Sequence, residues 1–280
     1  MSVRWTVLIA RLSPDKLFYV ELNKISDMQI LIGCAKDMRG SDDGNYGIMT
    51  EPRFAGEAMH NALQMAGYDE AELADMLHCN ADIARQNRLR YMHFAGEGPR
   101  LQAVLAYTGV VYKYLDAPGF TPEVQTYAQE HLWITSFLYG LLRPADMIKP
   151  YRLEGNVVLP DNGVSMFDYW KPLLTDVLID SVKASGGLLV DLASSEMRRL
   201  FNWRKVAREV DVVRPEFYVS KGGRLKTIVI YAKMCRGAMT RYLLQNRIDN
   251  ADKLKSFDFE GFSYSEVDSK PGCPVFVANL

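Results

Sequence analysis

Residues 138–154 read LYGLLRPADMIKPYRLE, and the backbone that this stretch requires sets the reading of everything around it. Gly140 interrupts the apolar run. Pro144 and Pro150 each fix their own φ and push the residue before them toward extended conformations. Arg143 and Arg152 sit beside those prolines, and Tyr139 and Tyr151 fall in the same span. Tyr-Gly, Arg-Pro and Pro-Tyr-Arg at this spacing describe a rigid corner that presents cations, with the rest of the chain as its support.

Working outward, Thr121-Pro122-Glu123 is a helix start: a capping hydroxyl, a proline at the first helical position and an acid behind it. The apolar pattern carries that helix through Leu138 to the break at Gly140. Downstream, Asp161-Asn162-Gly163 makes a turn, 167–185 reads as a helix closed by Gly186-Gly187, and 188–192 as a buried strand. Residues 193–196, ASSE, then open a helix. Segments 210–219 and 225–232 read as strands joined by a Lys221-Gly222-Gly223-Arg224 hairpin, before a helix over 234–248. Upstream, 29–35 is a buried strand, 37–53 a Gly/Asp/Pro-rich loop, and three helices follow to about residue 93. Short strands at 257–264 and 275–277 end the chain. The pattern predicts an α+β protein, a single mixed α/β domain over 28–280. Residues 1–27 read as an extension, non-native or poorly ordered, because MQILIGCAK at Met28 is the better opening strand.

Composition narrows the function. At 280 residues and 48% hydrophobic, the chain can bury a sizeable core. No apolar run approaches membrane-spanning length, so no membrane partner is expected. Cys34, Cys79, Cys235 and Cys273 are scattered without a CxxC pair, which fits reduced thiols and a cytoplasmic location. His60, His78, His93 and His131 lack ligand spacing, so neither a metal nor a cofactor is expected. No glycine-rich phosphate loop and no GxSxG nucleophile elbow occurs.

Charge is the clearest chemical signal. The overall net charge is −1, yet residues 198–247 hold thirteen Lys and Arg against three acids. Such a stretch attracts phosphates. At 100° per residue, Lys233, Arg236, Thr240 and Arg247 share one helical face, and Met234, Ala238 and Tyr242 lie opposite. Gly237 between them invites close approach of a ligand or another backbone. Ser194-Ser195-Glu196 caps a helix or binds an anion there. Cys34, two residues before Lys36, is a buried thiol or a reactive one.

The ordered motifs, AK near the start, YTGVVY, LYGLLRP with PYRLE, LVDLASSE and YAKMCRGAMTR, resemble the YaaA family of bacterial peroxide-stress proteins, from residue 28 to about 277. The resemblance implies a cytoplasmic stress protein that limits unincorporated iron and oxidative damage. It implies a mixed α/β fold with a positively charged cleft, a helix-hairpin-helix element and DNA binding. That element maps to the 121–138 helix, the LYGLLRP turn and the segment after it. The family's Ser-Pro-Ala-Lys-Thr is here Gly33-Cys34-Ala35-Lys36-Asp37, which keeps the lysine and loses the hydroxyls.

Two readings follow. In the first, a basic cleft binds DNA with little sequence dependence: Arg143, Arg152, Lys233, Arg236 and Arg241 contact phosphates, and Tyr139 and Tyr151 order the corner or stack on bases. In the second, an enzyme acts on a small anionic substrate, with Lys36, Glu154 and Glu196 as catalytic candidates beside Arg152 and Lys233. Convergence of Lys36, Arg152 and Lys233 favours a site; their separation favours a binding surface.

Overall fold

The structure, a computed structural model, describes residues 28–40 and 46–279. The extension expected over 1–27 lies outside the described residues. β1 (Met28–Ile32) is buried along its whole length, as a central strand covered on both faces must be. Helices α1 (Ala55–Met65), α2 (Glu70–Met76) and α3 (Ala81–Met92) follow. The Asp69 carboxylate caps α2 in a reciprocal capping box with Glu72, and Asn80 caps α3. A short ribbon strand β2 (Leu101–Gln102), α4 (Ala103–Ala106) and α5 (Val110–Leu115) lead to α6 (Pro122–His131), whose cap is Thr121 as read.

The helix predicted through Leu138 stops at His131. The next five residues, LWITS, are β3 (Leu132–Ser136), all buried and paired in parallel with β1, Ile30 opposite Leu132. Aromatic and β-branched side chains favour that outcome once a central strand is available as partner. β3 turns back antiparallel into β4 (Gly140–Leu142). The segment mapped to a helix-hairpin-helix is thus a helix followed by a β-hairpin. Gly140 takes φ +70°, and a Cβ there would sit 2.8 Å from the Trp170 ring.

β5 (Met147–Ile148) pairs with β2. The long helix α7 (Met166–Ala184), capped by Ser165, leads into β6 (Leu188–Asp191), then α8 (Trp203–Glu209) and β7 (Asp211–Val213). The main sheet has the order β4-β3-β1-β6-β7, parallel except for β4. A second sheet is built from β8 (Glu216–Lys221), β9 (Arg224–Lys226), β10 (Ser263–Lys270) and β11 (Cys273–Asn279), in the order β10-β11-β8-β9.

The strand expected over 225–232 is cut short. After Lys226 the chain enters α9 (Val229–Gln245), five residues before the predicted start. Arg247 lies beyond its end, and Thr240, assigned to a cationic face, is fully buried and donates to the Arg236 carbonyl. α9 packs on α5, α6 and β8, so burial covers more of its circumference than one face. Gly237 serves the backbone, not a ligand: a Cβ there would lie 2.1 Å from the Val111 carbonyl oxygen of α5. Gly237→Ala is expected to lower stability by about 1–3 kcal/mol. Gly56→Ala, in open space on α1, is expected to raise it by roughly 0.5–1 kcal/mol. Thermal melts of the two variants beside the parent check both.

Candidate functional site

β1, β3 and β6 are parallel, so their C-terminal ends open on one edge of the sheet. The chain passes from β1 to β3 on one side, then returns to the other side of β1 as β6. Loops leaving β1 and β6 diverge, and open α/β sheets hold ligands in the crevice so formed. A cleft of about 380 Å³ lies there. Gly33 and Cys34 after β1, Phe137 after β3, and Leu192 and Ser194 after β6 form part of its wall. Lys36, Arg152, Glu196 and, from α9, Lys233 and Arg236 line it with charge.

Lys36 Nζ lies 2.9 Å from Glu154 Oε1, and Arg152 Nη2 is 3.4 Å from the same oxygen. Arg152 Nη1 is 3.9 Å from Asp37 Oδ1. Glu154 is buried, so its charge needs both cations, and it holds them at the cleft in turn. Arg152 is placed by its neighbours: Tyr91 donates to its carbonyl at 2.5 Å. The adjacent Tyr151 hydroxyl lies 2.8 Å from that of Tyr107 and 2.6 Å from Ser136 Oγ. Burial pushes the Tyr107, Tyr112 and Tyr151 hydroxyls well above their usual range, so they remain protonated. Tyr112 donates to the Gly33 carbonyl, fixing the loop after β1. Burial, then the Glu196 and Glu154 carboxylates, push the Cys34 thiol up to about 12. It is a protonated wall residue and not a thiolate nucleophile.

The corner at 138–154 is rigid but faces inward. Arg143 stacks 3.4 Å from the Trp133 ring centroid and donates to Gln29 Oε1, the Leu132 carbonyl and Ser181 Oγ. Burial lowers its pKa to about 10, still protonated at neutral pH, and its hydrogen bonds are spent tying β3 to β1 and α7. Tyr139 and Tyr151 are buried, and Tyr151 also forms part of the cleft wall; the Tyr139 hydroxyl accepts from the Lys149 amide. Hydrogen bonds hold both within the corner. Arg241 pairs with Asp116 at 3.2 Å, outside the cleft lining. Of the predicted residues, the structure therefore gathers Lys36, Tyr151, Arg152, Glu154, Glu196, Lys233 and Arg236, and not Tyr139, Arg143 or Arg241.

Residues 28–268 match the protein family described as peroxide stress protein YaaA. The chain belongs to the YaaA family. It is 52% identical over 239 residues to a UPF0246 protein of Phocaeicola vulgatus, covering 85% of this chain and 94% of that one. A UPF0246 protein of Bacteroides thetaiotaomicron is 48% identical over 90% of this chain and 99% of its own. One from Marinomonas sp. is 33% identical over 89% and 96%.

One residue of this YaaA-family chain was missed by the sequence reading. Asp191 closes β6 and is 1% exposed. The Ala193 amide donates to its Oδ1 at 3.1 Å, while Oδ2 lies 3.5 Å from Arg198 Nη1 without a hydrogen bond. Its signal was an acid at the end of the apolar run LLVD, beside the more visible ASSE. Burial, opposed by Arg198, raises its pKa from 3.8 to about 6. Because the folded value is the higher one, ionising Asp191 costs stability as pH rises from about 4 through 6. Asp191→Asn is expected to abolish that decline and gain on the order of 2 kcal/mol at neutral pH. Chemical denaturation of parent and variant between pH 4 and 8 measures it.

Proposed function

We propose that this peroxide-stress protein is an enzyme whose cleft holds a small anionic substrate. The observation that carries the reading is the convergence of Lys36, Arg152, Lys233 and Arg236 at the C-terminal edge of the parallel sheet, with Glu154 clamped between the first two. Lys36 and Arg152 bind the anion and stabilise negative charge that grows during reaction. Glu154 positions them. Glu196, exposed on the cleft wall and unpaired among the described residues, serves as general base.

DNA binding is a second reading, favoured by a separate observation. Residues 221–230 are all exposed and carry Lys221, Arg224 and Lys226 with Leu225, Ile228 and Val229 between or beside them. Cations hold a phosphate backbone and apolar side chains lean on bases.

The readings separate by experiment. A panel of phosphorylated metabolites, screened by thermal shift, is expected to yield a stabilising ligand whose effect Lys36→Gln and Arg152→Gln each reduce at least tenfold in affinity. No stabilising ligand, or one indifferent to both variants, rejects the cleft site. In mobility shifts, Lys221→Gln/Arg224→Gln/Lys226→Gln is expected to weaken DNA binding and flatten its dependence on log salt by about 3. Unchanged binding rejects the hairpin.

A further inference from the structure

Arg236 has no hydrogen bond to its guanidinium and no ion pair among the described residues, although it is half-buried and burial lowers its pKa. The Asp191 and Glu216 carboxylates attract it without direct contact, which leaves a partly dehydrated cation able to take an anion. Arg236 lines the cleft, and it also lines a second, smaller cavity of about 130 Å³. Arg198 and Arg214 line that second cavity as well, on either side of the Asp191 end of β6.

We infer that the small cavity is a second anion subsite, in which Arg198, Arg214 and Arg236 receive a phosphoryl group of the ligand whose body lies in the cleft. This rests on the cleft reading and deepens it by naming the ligand class as a phosphorylated molecule. At ~30 Å³ per water, the cavity has room for about four waters. That is room for a phosphoryl group. Each guanidinium is a planar fork of donors suited to an oxyanion, and a phosphoryl group offers oxygens in enough directions to meet all three.

Two carboxylates face the same cavity. Glu216 takes one contact from Arg214 at 3.0 Å and the Tyr218 hydroxyl at 2.6 Å, which fixes Arg214 and leaves most of its five donors free. Asp191, whose Oδ2 is buried without a hydrogen bond, lines the cavity too. With three arginines against two carboxylates, the cavity therefore holds more cation than anion.

The test is titration calorimetry on the full chain with inorganic phosphate and with pyrophosphate. Arg214→Gln touches the small cavity alone, and Lys36→Gln the cleft alone. Arg214→Gln is expected to weaken both ligands at least tenfold, and Lys36→Gln to weaken pyrophosphate but not phosphate. Arg198→Gln and Arg236→Lys are read in parallel, with melting curves to verify folding, so that one misfolded variant does not end the test. If Arg214→Gln and Arg198→Gln are folded and bind both ligands like the parent, the subsite is overturned. If Arg214→Gln weakens binding while Lys36→Gln leaves pyrophosphate unchanged, the subsite stands and the cleft reading fails.

Discussion

A carboxylate taken out of water must be paired, and Glu154 meets that requirement with two cations from distant parts of the chain. Lys36 comes from the loop after β1, and Arg152 from the end of the corner that follows β4. Neither segment belongs to regular secondary structure at that point. The shared carboxylate closes one onto the other and sets the wall of the cleft. Removing Glu154 would leave two cations facing each other with nothing between them. Removing either cation would leave a buried acid short of a partner.

The rest of the fold brings material to that wall. The parallel sheet provides the edge, and the return of the chain from β3 to β6 opens the crevice between diverging loops. α9 delivers Lys233 and Arg236 to the opposite side. It lies close enough to do so because Gly237 lets the α5 backbone approach to a distance that no other residue permits. Arg143 works by the same logic one layer below. Its guanidinium joins β3, β1 and α7 and so holds the strand ends in register.

The titrating groups around the cleft fall into two classes. The tyrosines and Cys34 are held protonated by burial, so they shape the site and donate hydrogen bonds without contributing charge. The charged groups divide further. Lys36 and Arg152 form ion pairs with Glu154, with Arg152 Nε and Glu154 Oε1 left without a hydrogen bond, and Arg241 pairs with Asp116. Arg236, attracted by Asp191 and Glu216 but in direct contact with neither, lies between two cavities. A cation without a direct partner in such a place marks a ligand site more than a solvated ion-pair network does.

Sequence alone determined the family, the cap of α6, the buried strands β1 and β6, the β8–β9 turn and the basic character of the second half. Each rests on local chemistry: a capping hydroxyl, a proline at N1, an unbroken apolar run, a Gly-Gly turn. It could not determine which cations face a ligand. Arg143 and Arg152 look alike in the sequence, each next to a proline-fixed turn. Only the tertiary structure sends one against Trp133 and the other to Glu154, because the outcome depends on which strand pairs with β1. The helix read through Leu138 failed for the same reason. LWITS fits either an apolar helix face or a buried strand, and the exposed edge of β1 decided between them. Asp191 became visible only when strand order placed its carboxyl beside Arg198, Arg214 and Arg236, since adjacency across a sheet leaves no periodic trace along the chain.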